Sequence, residues 1–314
     1  MQKKFQPEIS VIMATYNRDR FIKAALDSII NQSFTNWECL VIDDGSSDRT
    51  AEILEAYNGA DSRIKYFKRS KNYRKGLPGC RNMGLDLAKG NYIQFFDDDD
   101  IVHPENLQTC FKLLKDKDLY FCRYEKKPFL EKAEILNFPI SGKIKIQKIG
   151  DTDIDNVVTG KIPFASCTVL WDRKCFRNIR FNEDLMYAEE WECYTKILSE
   201  GYDGISLNQV LYFNRKHAES NTGEFWNKDE MRIGSYKKAA MLIIDQLAKK
   251  KLINDELKKF FIRLGFMLGS GKILRRILSA TGAGKFEKLK YLMGFNVYPI
   301  LKPLFRLKGK LLKI

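Results

Sequence analysis

The sequence predicts an α/β fold: a doubly wound, mostly parallel sheet with a Rossmann-like nucleotide-binding half, followed by a helical, basic C-terminal region. Three observations predict it. From Ile9 to Phe96, short β-branched apolar runs alternate with segments of helical period. Two of these runs end in clustered acids, Asp43-Asp44 and Asp97-Asp98-Asp99-Asp100, at the strand ends where an open α/β sheet carries its functional groups. The net charge of +14 belongs to the far end of the chain, because Lys249–Ile314 holds 17 Lys and Arg against 3 Asp and Glu and the rest balances.

Taken in order, Ile9–Thr15 reads as a strand, Asn17-Arg18-Asp19 as a turn, and Phe21, Ile22, Ala25, Leu26, Ile29 and Ile30 as one face of a helix. Glu38–Ile42 is a second strand, and Ala51, Ile53, Leu54 and Tyr57 mark a second helix. A third strand falls at Ile64–Phe67, a helix at Cys80–Ala88 after the loop Ser70–Gly79, and a fourth strand at Tyr92–Phe96. From Cys122 to Phe181 the alternation blurs. Short strands at Lys143–Gln147 and Ser166–Trp171 suggest an added, partly antiparallel region there. Glu189–Leu198 is a helix closed by Gly201, Val210–Phe213 a last strand, and beyond Glu224 the pattern is helical. The expected organisation is a domain over 1–224, with halves 1–121 and 122–224 that a family resemblance given below implies to be nucleotide-sugar and acceptor halves of a catalytic domain, then a helical region over 225–314.

Composition narrows the chemistry. The 314 residues are 44% hydrophobic and 30% charged, a globular balance. Seven cysteines with no CxxC pair suggest reduced thiols rather than a zinc ribbon or disulfide framework. With two histidines, His103 and His217, a metal site must rest on carboxylates, which suits a hard cation. Pro7 and Glu8 spoil a signal segment, and no run of 18 apolar residues occurs, so the expected location is cytoplasmic.

The turn after the first strand, Ala14–Arg20, has no glycine and so does not suit a dinucleotide pyrophosphate. It offers Tyr16 for stacking on a base instead, while Asp44 at the next strand end can accept an imide N–H, which uracil has and cytosine lacks. The plainer alternative makes Tyr16 a core residue and Asp44 a helix cap. Four adjacent aspartates repel one another unless a cation gathers them, and on an extended segment Asp97 and Asp99 would point the same way. Without a cation they are an exposed turn, one Asp capping the helix after Pro104. Glu189-Glu190-Trp191-Glu192 opens a helix, where acids are favoured in any case, and either Glu189 or Glu190 could serve as a general base. Arg215, His217 and Ser220 follow the last strand and suit a diphosphate.

Taken together, Ser10 through Asn17, Val41 through Asp48, Arg81-Asn82-Met83-Gly84 with Ala88-Lys89-Gly90, Phe96 through Asp100, Phe181-Asn182-Glu183, Glu189 through Glu192, and Arg215 through Ser220 resemble the family 2 glycosyltransferases. These are inverting enzymes of the GT-A fold that use nucleotide-activated sugars, and the resemblance covers about residues 8–220. It implies a nucleotide-sugar site from Thr15, Tyr16, Asn17, Asp43, Asp44, Arg81, Asp97, Asp98, Arg215 and Ser220. Within it Tyr16, Asp44 and Arg81 meet the nucleoside and Asp97 the ribose. It further implies Mn²⁺ or Mg²⁺ held by Asp99, Asp97 and His217, and a catalytic base at Glu190. The family's usual Glu-Asp pair is Glu-Glu here, which keeps Glu189 open as the base. The implied donor is a UDP-sugar, and the implied acceptor is a hydroxyl of a saccharide, lipid-linked, in cell-envelope polysaccharide synthesis. A hexosyl- or N-acetylhexosaminyltransferase is expected.

In Glu256–Leu278, Leu257, Phe260, Phe261, Leu264 and Leu268 recur at helical spacing among lysines, and Ile273, Leu274 and Ile277 lie opposite Lys272, Arg275 and Arg276. Such segments suit an anionic membrane surface, which predicts peripheral association with the inner face of the cell membrane, or else a bundle packed on the catalytic domain. Two rival functions remain. A nucleotidyltransferase acting on sugar phosphates would want a glycine-rich, lysine-bearing first turn, and a nucleic-acid-binding module would want a recognised signature. Neither is found, so no nucleic-acid partner is expected.

Overall fold

The computed structural model of the chain describes residues 6–129, 143–216 and 229–311, with side chains as far as Tyr298. The first half is built from β1 (Ile9–Thr15), α1 (Ile22–Ile30), β2 (Trp37–Asp43), α2 (Thr50–Ala60), β3 (Ile64–Lys68), α3 (Leu77–Leu87) and β4 (Tyr92–Asp97). These strands pair in parallel in the order β3-β2-β1-β4. Helices cover both faces, which is why the strands are nearly continuous apolar runs. Ile9, Val11 and Met13 pack with Ile22 and Leu26 of α1 on one side, and Ile12 packs with Cys80 and Met83 of α3 on the other. Gly84 lets α3 sit on β1, since a Cβ there would lie 2.4 Å from the Ile12 side chain.

The second half adds β5 (Ile101–Val102), α4 (Asn106–Leu114), β6 (Phe121–Phe129), β7 (Ile146–Ile149), α5 (Ile154–Val158), β8 (Val169–Asp172), α6 (Glu189–Ser199) and β9 (Gly204–Arg215). The sheet of the described residues has nine strands in the order β3-β2-β1-β4-β8-β6-β9-β5, with β7 on β9. β8 runs antiparallel to both β4 and β6, while β6 and β9 are parallel, so this half is mixed. Sequence periodicity misses β6, because Arg123, Glu125, Lys126 and Lys127 break its apolar pattern and its pairing with β9 shifts register between Arg123 and Lys126. β9 extends well before the expected Val210. The expected strand at Ser166 starts only at Val169, after a 3₁₀ turn over Ser166–Thr168, and the one expected from Lys143 starts at Ile146.

Four helices end the chain: α7 (Glu230–Lys249), α8 (Asp255–Met267), α9 (Gly271–Ala280) and α10 (Lys285–Leu311). Here the structure corrects the sequence reading. Leu257, Phe261 and Leu264 of α8 and Ile273, Leu274, Ile277 and Leu278 of α9 are buried in the same cluster as Ile12, Phe121 and Trp171. The stripe expected to meet lipid is therefore a packing face, and α7 supplies Ala240, Ile243, Ile244 and Leu247 to it. Part of the basic excess is paired locally, as in Arg276–Asp245 (2.5 Å), Lys258–Glu287 (2.8 Å) and Lys250–Glu200 (2.7 Å). Among the described residues no helix is long and apolar enough to cross a membrane.

Candidate active site

A cleft of about 740 Å³ opens beyond the carboxyl ends of β1 and β4, and its walls carry Tyr16, Asp44, the four aspartates, Glu190 and Arg215. Its floor is two βα turns laced together. Asn17 adopts a left-handed conformation (φ 53°), its N–H donates to Ser46 Oγ (2.9 Å), and its side-chain oxygen accepts from the Ser47 N–H (2.8 Å). Asp43 is buried and accepts from the N–H groups of Gly45 and Ser46 and from the hydroxyls of Ser46 and Tyr66 (2.7–3.1 Å). Asn17 and Asp43 were expected to touch the nucleotide; these bonds make them part of the floor under the cleft.

Thr15 lines the cleft, and its carbonyl accepts from the Asp44 N–H (2.9 Å). Asp44 does not cap α2, whose N-cap position is Arg49; Asp48, just before it, accepts from the Thr50 N–H (2.9 Å). Its carboxylate accepts from Arg69 Nε and from the Gly76 N–H (3.0 Å) at the cleft edge. Tyr16 is no core residue: it is 45% exposed, with the Lys75 ammonium 4.9 Å from its ring.

β4 ends at Asp97 and the chain turns, so the extended geometry expected to align Asp97 with Asp99 does not hold. None of the four aspartates caps α4, whose N-cap position is Glu105. Asp98 accepts from Arg18 Nε (3.3 Å), and Asp100 from the Arg215 N–H (2.7 Å). The Arg215 guanidinium donates to the Asp99 carbonyl (2.9 Å) and lies over the rings of Phe21 and Phe129. Burial, reinforced by repulsion from Asp99, pushes the Asp98 carboxyl up to about 7. Burial and repulsion from Asp97 push Asp100 up to about 8. Asp97 is raised as well, by burial, against the opposing pull of Arg81.

These are the electrostatics of a site that a divalent cation would relax. Among the described residues the group with metal-ligand spacing is Asp97, Asp100 and Cys167, whose ligand atoms lie within 4.8 Å of one another. Burial holds the Cys167 thiol protonated far above its ordinary range, leaving two carboxylates as donors. Two carboxylates fit Mg²⁺ or Mn²⁺, which complete their shells with phosphate oxygens and water.

Both glutamates line the cleft, and they are held differently. Ala188, at the N-cap of α6, adopts a left-handed conformation (φ 63°), unusual for a residue with a Cβ, and so sets how the helix presents its first turn. Glu189 is buried and accepts from Arg81 Nη1 (2.8 Å). Glu190 reaches the cleft, where its Oε2 accepts from the Ser166 N–H (2.8 Å). Arg81, expected at the nucleoside, lines the cleft with its guanidinium held by acids. It is buried, donates also to Ser166 Oγ (2.7 Å) and lies 3.5 Å from Asp97, so its guanidinium joins the acid cluster to the base of α6. His217 and Ser220 lie outside the described residues.

Sequence reasoning missed three contributors. Arg18 stands beside Asn17, and its turn position at a strand end was the available signal. Ser166 and Lys126 come from the blurred region and carry no local signal; Lys126 places its ammonium 3.9 Å from Cys167 Sγ inside the cleft. A second cleft, of about 720 Å³, lies near the opposite strand ends around Glu8, Tyr92 and Asp172 and holds none of the expected residues.

A mixed sheet whose parallel half ends in a carboxylate-rich cleft, with a further carboxylate facing it from a later helix, is the architecture of a GT-A nucleotide-sugar transferase. The family model for glycosyl transferase family 2 matches residues 10–179, over half of the chain, and the chain belongs to that family. It is a glycosyltransferase. It is 29% identical over 252 residues, covering 80% of this chain and 76% of the relative, to the GalNAc(5)-diNAcBac-PP-undecaprenol beta-1,3-glucosyltransferase of Campylobacter jejuni. It is 30% identical over 212 residues, 68% of this chain and 78% of the relative, to the UDP-Glc:alpha-D-GlcNAc-diphosphoundecaprenol beta-1,3-glucosyltransferase WfaP of Escherichia coli. Among solved structures, S. aureus TarS 1–349 in complex with UDP-GlcNAc superposes with a TM-score of 0.64 at 20% identity, over 87% of this chain and 73% of that one. The mannosyltransferase PcManGT of Pyrobaculum calidifontis, in complex with GDP-Man and Mn²⁺, gives 0.55 at 19% identity, over 95% and 82%. At those identities the structural likeness speaks for the fold.

Proposed function

We propose that the chain transfers a sugar from a UDP-sugar, with inversion, to a hydroxyl of a lipid-linked saccharide in cell-envelope polysaccharide synthesis, at the cytoplasmic face of the membrane. The observation that carries the reading is the placement of the Glu190 carboxylate in one cleft with the aspartate cluster. The two relatives above are named for undecaprenol-diphosphate-linked acceptors, and one of them for UDP-Glc, which supports the donor and acceptor classes.

In this reading Tyr16 stacks on the uracil ring and Asp44 accepts its imide N–H. Asp97 and Asp100, with Asp99 next to them, would hold Mn²⁺ or Mg²⁺, and that ion when bound supplies positive charge for the diphosphate oxygens. Arg215, stacked between two phenyl rings, turns its remaining donors to the departing diphosphate. Glu190, oriented by the Ser166 N–H, takes the proton of the acceptor hydroxyl as that oxygen attacks the anomeric carbon opposite the leaving group. Glu189 is already committed to Arg81, so it positions rather than accepts a proton.

A donor screen reading nucleoside diphosphate release, with Mn²⁺ or Mg²⁺ and an acceptor present, tests the proposal. Release of UDP from one UDP-sugar with formation of a glycosidic product is expected. Release of pyrophosphate instead would assign the cleft to nucleotidyl transfer.

A further inference from the structure

With the α8 and α9 stripes committed to the core, exposed apolar side chains of the helical region concentrate on α10, apart from the single Met231 of α7 and Met267 of α8. Phe286 is 82% exposed, Leu289 57%, Met293 59% and Val297 45%. Their spacing of three and four residues puts all four on one face of the helix, an arc of roughly 80° at 100° per residue. The opposite face is the one that packs: Phe295 meets Phe266 of α8 edge-on at 5.5 Å, and Phe266 also meets Tyr298 at 5.3 Å. α10 is thus apolar on two sides, and only one is covered by the described protein. Scattered exposed apolar residues are ordinary, but four in register along one helix mark an interaction surface.

The charge around the stripe selects the partner. Lys285 and Lys290 are exposed beside it, and Lys272, Arg275 and Arg263 are exposed on the neighbouring helices. The stretch that contains them carries the whole chain's positive excess. A second copy of the same surface would bring like charges together, whereas an anionic bilayer accepts apolar side chains below its headgroups and lysines among them. We infer that α10 is the membrane-docking element: it lies along an anionic lipid surface with Phe286, Leu289, Met293 and Val297 inserted, while α8 and α9 tie it to the catalytic sheet. The inference rests on the proposed lipid-linked acceptor for its purpose, but not for its evidence.

The test is sedimentation of the full chain with phosphatidylcholine vesicles, with and without phosphatidylglycerol. The wild-type protein is compared with Phe286→Ser/Leu289→Ser/Met293→Ser and with Lys285→Ala/Lys290→Ala. The wild type should bind the anionic vesicles, the triple variant should lose at least tenfold in partitioning, and the lysine variant should lose several-fold in a salt-sensitive way. All altered side chains lie at the surface, and circular dichroism of the variants should match that of the wild type. UDP release in free solution should be equal in all three proteins, so a failure of the transferase reading is seen separately from a failure of docking. Equal vesicle binding by wild type and triple variant would overturn the inference. So would a wild-type dimer, seen by light scattering, that the triple substitution dissolves while vesicle binding stays absent.

Discussion

Two stretches of this chain concentrate charge, Asp97–Asp100 and Lys249–Ile314, and the fold treats them in opposite ways. The basic stretch is longer and carries more charge, yet along α8 and α9 its exposed Lys and Arg stand outward while Leu257, Phe261, Leu264, Ile273, Leu274 and Ile277 fill the core. The four aspartates sit where parallel strands end together, and the fold adds Glu190 from α6 to the same cleft. There the charge stays crowded, with Asp98 and Asp100 pushed to about 7 and 8 by burial and by their neighbours. Charge density along a sequence does not make a site. Convergence does, and convergence is a property of topology.

The strongest way to break this contrast is Glu190→Gln. If the cleft is the reaction centre, turnover should fall by roughly 10²–10⁴ while UDP-sugar affinity, measured by calorimetry, stays near wild type. An unimpaired variant would reduce the cluster to a structural feature. The matching substitution in the helical region is Phe261→Ala, which removes a fully buried ring. It should lower unfolding free energy by about 3–5 kcal/mol in denaturant titrations and leave turnover per folded molecule unchanged. A large change in turnover with little change in stability would mean that the helices do more than support the sheet.

The contrast can be sharpened through the cation. At saturating Mn²⁺, around 100 times its dissociation constant, binding to the native state should stabilise it by about 2.7 kcal/mol. The rise in melting temperature should be lost in Asp97→Asn/Asp100→Asn, whose own metal-free stability should not fall, since the substitutions remove repulsion. A Mn²⁺-dependent rise that survives in the double variant would move the metal site to other groups.

How much of this was legible in the sequence follows the same line. β1 to β4 were readable because both sheet faces are covered, so Ile9–Thr15 and Glu38–Ile42 are mostly apolar, with Ser10, Thr15 and Glu38 the exceptions, and the acids that follow β2 and β4 announced themselves. β6 was not, because Lys126 and its neighbours take their place from pairing with β9, a partner about 80 residues away in the chain. The different partners of Glu189 and Glu190 were not legible either. They depend on the phase of α6 relative to the sheet, with Ala188 left-handed at its start and Arg81 bonded to Glu189. In the basic tail the apolar period correctly showed that α8 and α9 bury one side. Periodicity does not say whether lipid or protein does the burying, and here protein does.

The finest discrimination lies at Tyr16, where a surface aromatic could be a stacking platform or an incidental ring. Its environment argues for the first. The residue follows β1 directly, its neighbour Asn17 is locked to the second turn, and the ring is left half exposed on the cleft wall with a lysine ammonium 4.9 Å away. A single exposed ring is ordinary in itself; what singles this one out is its place on the wall of the acidic cleft beside Asp44. Stacking on a base contributes about 1–3 kcal/mol, so Tyr16→Ala should weaken UDP binding roughly 5- to 150-fold, and Tyr16→Phe should keep most of the affinity. Stability should change little in either variant, because no core contact is lost. Equal UDP affinity in wild type and Tyr16→Ala would place the base elsewhere in the cleft and leave Asp44 without its assigned partner.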